Sequence, residues 1–216
     1  MRGLGTLINL VTVLVGGTAG VYVGHRLPER MRATVMQGLG LATIAVAVVG
    51  FAPLLDEDRG LQRAVIMVAG LTLGAVVGEA LRLEERLESA GERLKQRLGA
   101  SDDHEREVTT HSPFVEGFVV ASTVFCAGPL TVLGSVEDGL GISVRLLAIK
   151  STLDGIAAVG FASVYGWGVL GSLITIAVVQ GGITALATVV EPILTTEVLN
   201  ELSIVGSALV LGIGLR

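Results

Sequence analysis

Residues 146–162 read LLAIKSTLDGIAAVGFA, an apolar run that holds two opposite charges, Lys150 and Asp154. The run does not alternate apolar and polar residues, so it does not read as a half-buried strand, and its length suits a helix. On a helix, positions four apart share a face, and opposite charges there can pair. Arg145 stands at the edge of the run, and Asp154 lies nine residues further on, about 13 Å deeper at about 1.5 Å per residue. That depth is near the middle of a hydrocarbon core about 30 Å thick. Whether the run crosses a bilayer is decided by the rest of the chain.

The 216 residues are 51% hydrophobic and 16% charged, with a mean hydropathy of +0.74. Soluble domains carry about 25% charged residues. Six further runs approach the ~20 residues needed to cross a bilayer, and a soluble core of this size has no room for all of them. The expectation is an all-α fold, a multi-pass transmembrane helical bundle of about seven spans that forms a single transmembrane domain over residues 1–216. The spans are expected at Leu4–Gly24, Ala33–Leu55, Ala64–Leu81, Pro113–Val136, Leu146–Ser163, Val169–Val190 and Val198–Leu215. The third, fifth and seventh look short for a bilayer. A β-barrel is excluded by the missing period-two alternation. The first run has no A-x-A-like cleavage site and is read as a retained span rather than a signal peptide. Net charge is −5, and no basic stripe marks a nucleic-acid partner. The single cysteine, Cys126, leaves no internal disulfide and no Cys-rich metal site.

Lys and Arg set orientation. Arg26, Arg30 and Arg32 in the first connection, Arg82, Arg86, Arg93, Lys95, Arg97 and Arg106 in the third, and Arg216 make ten basic residues on one side. Arg2, Arg59, Arg63 and Arg145 make four on the other. The bias expects an N-terminus outside and a cytoplasmic C-terminus. Residues 82–112 then form a cytoplasmic amphipathic helix and loop. In RLEERLESAGERLKQRLG, Leu83, Leu87, Leu94 and Leu98 recur at helical spacing. This helix extends the third span or lies at the interface; Gly91 weakens its middle, and SDDHEREVTTHS reads as a polar loop.

Glycine is 30 of the 216 residues, against a usual share of about 7%. Gly16, Gly20 and Gly24 fall every fourth residue in the first span, and Gly70, Gly74 and Gly78 do so in the third. Each triplet makes one small-residue face on which helices pack closely in lipid. A longer self-similarity joins QGLGLAT from Gln37 to QGGITALAT from Gln180, and Pro53 to Pro192. GLTLGAVVG from Gly70 pairs with GSALVLGIG from Gly206, and Asn9 before VYVG pairs with Asp154 before VYGWG. Spans one to three thus echo spans five to seven around the fourth, a 3+1+3 parallel repeat of the kind some transporters use.

Ionisable groups inside a membrane are rare and usually mark pathways or relays. Asp154 is therefore read as lining a polar cavity, with the shallower Lys150 beside it able to snorkel. The plainer reading is a self-neutralised structural pair. Span four, FVEGFVVASTVFCAGPLTVLGSVEDG, offers a companion site. Pro129 has no N–H, so the carbonyl of Phe125 loses its helical partner, and Gly128 adds local freedom. A break there frees backbone groups to bind an ion or solute; the plainer reading is a proline kink. Glu116 and Thr123 are seven apart and share a face, with Glu116 equally readable as an interfacial acid. Glu137 and Asp138 read as part of the following connection. Asn9 and Gln180 are buried-looking polar groups, most simply helix–helix hydrogen bonds. The candidate binding residues are thus Asp154, Lys150, Glu116, Thr123, Gly128, Pro129, Gln180 and Asn9. No HExxH, GxSxG, Walker loop or dinucleotide fingerprint is present, and His25, His104 and His111 fall at span ends or in the polar loop. The chain is not expected to be an enzyme or to carry a cofactor.

The segments GTLINLVTVLVGG, LPERM, VVGEALRLEERLE, FVEGFVVASTVFCAGPLTVLGSVEDGL, KSTLDGIAAVGFAS, VVQGGIT and ELSIVGSALVLGIGL, in that order along nearly the whole chain, carry a resemblance. The sequence resembles a family of bacterial inner-membrane proteins of unknown function that includes YdfK and YqgA. Members of that family tend to continue past GIGL with a further apolar segment, whereas this sequence ends at Arg216. The resemblance implies a bacterial cytoplasmic membrane and supplies no mechanism. The leading expectation is a small-solute or ion transporter, with Asp154 as the coupling carboxylate tuned by Lys150. The alternative is a non-transporting scaffold or regulatory protein acting through the cytoplasmic helix. Expected partners are the lipid bilayer, a small solute or ion, and a second copy of the chain in a homo-oligomer.

Overall fold

The computed structural model describes residues 2–98, 112–126 and 128–215. The polar loop with His104, Arg106 and His111, and the terminal Arg216, lie outside them. Among the described residues every regular element is helical. Two long helices, α1 (Leu4–Gly24) and α2 (Glu29–Gly50), are followed by a 3-10 turn at Ala52–Leu55, then α3 (Gly60–Ala80) and α4 (Leu83–Leu98). The middle of the chain is α5 (Pro113–Cys126) and α6 (Pro129–Leu140). The last third holds α7 (Arg145–Tyr165), α8 (Gly168–Ala185), the short α9 (Ala187–Val190), a 3-10 turn at Glu191–Ile193 and α10 (Thr196–Gly214).

Six of these helices are long and apolar enough to cross a membrane singly, and α5 with α6 makes a seventh candidate bent by 63°. The neighbours of that pair show one broken span rather than a re-entrant loop. Phe114 of α5 meets Gly168 at the start of α8, Ser122 bonds Thr175 at 2.9 Å, and Gly139 of α6 meets Thr184 near the end of α8. The pair therefore runs along the whole of α8. The spans expected to be short are not: α3, α7 and α10 have 21, 21 and 19 residues. Each continues into polar flanks that find partners. Arg63, in the first turn of α3, is buried and donates to the Pro53 carbonyl at 2.7 Å and to Asp56 at 2.8 Å.

The second and sixth spans stop earlier than expected, at Gly50 and Ala185. Pro53 lies in a 3-10 turn just beyond Gly50, whereas Pro192 lies in a 3-10 turn that follows the short α9, and a proline inside an α-helix removes a bond and clashes with the preceding turn. The two ends of the chain share an element order of two long helices, a proline-bearing 3-10 turn and a third long helix, with α9 added in the second unit. The leading helices of the two units, α1 and α7, lie side by side and run in the same direction, because Gly16 faces Gly155, Gly20 faces Val159 and Gly24 faces Ser163. A Cβ at any of these three glycines would overlap a backbone carbonyl of α7. Only glycine permits that approach.

In the second glycine triplet Gly70 keeps its expected packing role, facing Val205 of α10, and the other two do not. No described atom lies within 4 Å of where a Cβ on Gly74 would sit, and Gly78 would meet only Leu83. The core gathers instead on α1, α5, α7 and α8, where Phe125 and Phe161 stack at 6.1 Å between ring centres. Nor is α4 an extension of α3. Arg82 adopts a left-handed conformation, φ 49°, that turns the chain between them. Gly91 does not break α4; it faces Phe118 and Val115 of α5, and Leu94 lies over Gly171 of α8, so the small residue lets the helix dock.

Candidate functional site

Lys150 and Asp154 sit one turn apart on α7, and both are buried, at 6% and 7% exposure. The Lys150 ammonium pairs with Asp154 Oδ2 and donates to the Phe125 carbonyl at 2.7 Å. Phe125 is fully buried in the last turn of α5. The carbonyl that Pro129 leaves without a helical donor is thus taken by a lysine from another span. Lys150 does not snorkel toward the surface as expected; its head group is held inward by these two partners.

The other side of Asp154 is met by Asn9 of α1. The Asn9 amide donates to Asp154 Oδ2 at 3.0 Å and to Gln180 Oε1 of α8 at 2.8 Å. Asn9 and Gln180 are fully buried. Asn9 Oδ1 and Gln180 Nε2 have no hydrogen-bond partner among the described residues. A buried polar atom left unpaired costs about 1–3 kcal/mol, so the cluster retains one free acceptor and one free donor in its driest part.

Four of the eight candidate residues, Asn9, Lys150, Asp154 and Gln180, come together. Gly128 stands at the break as the N-cap of α6 with φ 140°, a conformation glycine tolerates best, and Pro129 is the first residue of α6. Glu116 and Thr123 are not brought to the site. Glu116 is exposed at the start of α5, next to Tyr165, and Thr123 bonds back to Val119 in its own helix at 2.9 Å. Its neighbour Ser122 is the residue that faces inward.

Five polar residues that the sequence reading did not select belong to the same interior. Thr131 Oγ1 donates to the Phe125 carbonyl at 3.4 Å, and Ser135 Oγ donates to the Thr131 carbonyl. Asp138, expected in a connection, is in the last turn of α6 and fully buried. Its Oδ2 accepts the Thr6 N–H at 3.2 Å, and the hydroxyls of Thr6 and Thr184 meet at 3.1 Å. The signal available in sequence was the spacing of Thr131, Ser135 and Asp138, which puts three polar groups on one helix face. Together these residues make two hydrogen-bonded arcs of an open polar ring: Asp138, Thr6 and Thr184 in one, and Gln180, Asn9, Asp154, Lys150, the Phe125 carbonyl, Thr131 and Ser135 in the other.

Two cavities open at the end of the bundle where α1 and α7 begin. One, of about 450 Å³, is lined by Leu4, Asp138, Ser143 and Arg145 among others; the second, of about 360 Å³, by Arg2, Thr6 and Thr184 among others. Neither is lined by Asp154, whose partners enclose it. The cavities reach the ring at its Asp138 and Thr6 end.

Residues 4–216 match the model of a family described as "Protein of unknown function (DUF554)". The chain is 29% identical over 213 residues to the uncharacterized protein YqgA of Escherichia coli (strain K12), covering 99% of this chain and 86% of that one. It is 26% identical over 211 residues to the uncharacterized membrane protein YdfK of Bacillus subtilis (strain 168), covering 98% and 84%. No solved structure matches it significantly.

Proposed function

The chain belongs to the DUF554 family, a multi-helix membrane family of unknown function, and we propose that it is a transporter for an ion or a small solute coupled to a cation. The observation that carries this reading is the position of the Lys150 ammonium between the Asp154 carboxylate and the free carbonyl of a broken helix. A carboxylate and a released backbone carbonyl are the oxygen donors with which broken-helix transporters hold cations. Here a tethered cation occupies them. When Lys150 withdraws, those oxygens, with Asn9 Oδ1 and Thr131 Oγ1 close by, are left to a diffusible cation. The enclosed pair is then the occluded state of an alternating cycle, and α1 and α7, the paired leading helices of the two repeat units, are the elements that separate. The catalytic role of an enzyme is not part of this reading. The scaffold alternative is disfavoured because the apolar side of α4 already rests on α5 and α8.

The test uses the purified chain in liposomes loaded with a pH-sensitive dye, with imposed proton, sodium and potassium gradients, and melting curves across the same ions and a metabolite panel. The parent is expected to respond to at least one of them, and the double variant Lys150→Met with Asp154→Leu to fold and lose that response. A folded double variant that keeps every response of the parent sinks the assignment of Asp154.

The same reading places the protein in the bacterial cytoplasmic membrane with its N-terminus outside, on the ten-to-four bias of basic residues. A reporter fused after Arg97 should behave as cytoplasmic and one after Gly60 as external. The reverse pattern would overturn the orientation while leaving the bundle intact.

A further inference from the structure

Asp138 is a second carboxylate inside the bundle that the Lys150–Asp154 pair does not use. Its Oδ2 caps the start of α1 through the Thr6 N–H, and its buried Oδ1 has no partner among the described residues. Asp138 is nevertheless among the residues that line the cavity of about 450 Å³ at the end of the bundle. A carboxylate kept ionised in apolar surroundings is costly, and one N–H at a helix start, favourable as it is to an anion, offsets part of that cost. A proton cancels the charge and needs a single lone pair. A hard metal ion needs a shell of oxygens, and no cluster of three His, Cys, Asp or Glu side chains that could hold one occurs among the described residues.

We propose that Asp138 is a proton-binding site at the N-terminal end of the bundle. Hydronium in the cavity gives its proton to Oδ1 and becomes water, and the carboxylate becomes the neutral acid; release reverses both changes. Ser135 stands three residues before Asp138 and Thr131 four before Ser135, so the three line one face of α6. On that face the Ser135 hydroxyl donates to the Thr131 carbonyl, and the Thr131 hydroxyl shares the Phe125 carbonyl with the Lys150 ammonium. The charged groups around Asp138 are Glu137 on its own helix, Arg2 at the start of α1, and Arg145 at the start of α7. The facing helices α8 and α9 carry no titratable side chain, and Glu197 and Glu201 of α10 are engaged by Arg59 and Arg63. The site rests on the transport reading for its purpose, naming the coupling ion as a proton, but not for its detection.

Infrared difference spectra of the full chain in lipid nanodiscs, recorded between acidic and alkaline buffer, test it. The chain holds 20 Asp and Glu residues, so the acid spectrum of each variant is subtracted from that of the parent: one carboxylic-acid C=O component should be missing from Asp138→Asn and present in Asp154→Asn. Asparagine still offers an oxygen to the Thr6 N–H, so α1 stays capped. Asp138→Glu keeps the acid on a longer arm and should shift the band rather than abolish it, which gives a second reading should the asparagine variant fold poorly. An acid spectrum that is the same in the parent and in both Asp138 variants overturns the proposal and leaves Asp138 a permanent anionic cap on α1. A persistent Asp138 band in a chain that responds to none of the imposed gradients would remove the transport reading alone.

Discussion

Asp154→Leu and Lys150→Met are each expected to lower the melting temperature in detergent sharply, and the double variant to recover most of the loss. Removing one member of a buried ion pair typically costs about 3–5 kcal/mol, because the survivor stays desolvated without its counter-charge. Asp154→Leu leaves the Lys150 ammonium with the Phe125 carbonyl alone; Lys150→Met leaves the Asp154 carboxylate with the Asn9 amide alone. The double variant buries neither charge, and replacing such a pair with apolar residues of similar volume is often neutral or better. It does leave the Phe125 carbonyl and one Asn9 N–H less well served, so a residual deficit of about 1–3 kcal/mol is expected from those groups. Melting curves of the two singles and the double form a thermodynamic cycle, and contacting residues should depart strongly from additivity. A double variant no more stable than the worse single would show that the two charges are not each other's main partners.

The break in the fourth span was legible in sequence because the chemistry of proline is local: Pro129 has no N–H, so Phe125 had to find another donor. The identity of that donor was not local, since Lys150 reaches it from a different helix. Periodicity gave faces without saying which face is inward. Glu116 and Thr123 do share a side of α5, but the inward side is the one with Ser122. Asp138 was hidden by its surroundings. VEDG reads as a loop, and the N–H that justifies burying the carboxylate comes from Thr6 at the far end of the chain. Gly91 shows local preference overruled by packing, for a residue that weakens an isolated helix becomes the point at which α4 meets Phe118. The prolines marked the repeat in part: Pro53 follows α2 directly, whereas Pro192 comes after the additional short helix α9.

The two glycine triplets look alike in sequence and should respond oppositely to the same substitution. Gly20→Leu is expected to destabilise the bundle strongly, and Gly74→Leu to leave its melting curve near that of the parent. At Gly20 a side chain would run into the Val159 carbonyl and the Ala162 side chain of α7. Overpacking a fitted core typically costs about 1–3 kcal/mol and occasionally more; the upper end is expected here, since the obstacle is helical backbone that cannot swing aside. At Gly74 there is room. The effect should also reach the site. The same α1–α7 contact that passes through Gly16 and Gly20 holds Asn9 against Asp154 further along the helix pair, so prising the helices apart at Gly20 should open the Asn9 end of the polar ring. Gly20→Leu is then expected to weaken any ion-dependent stabilisation along with the fold, and Gly74→Leu to preserve it. If Gly20→Leu melts with the parent, α1 and α7 do not meet through their glycine face, and the placement of Asn9 beside Asp154 falls with that contact.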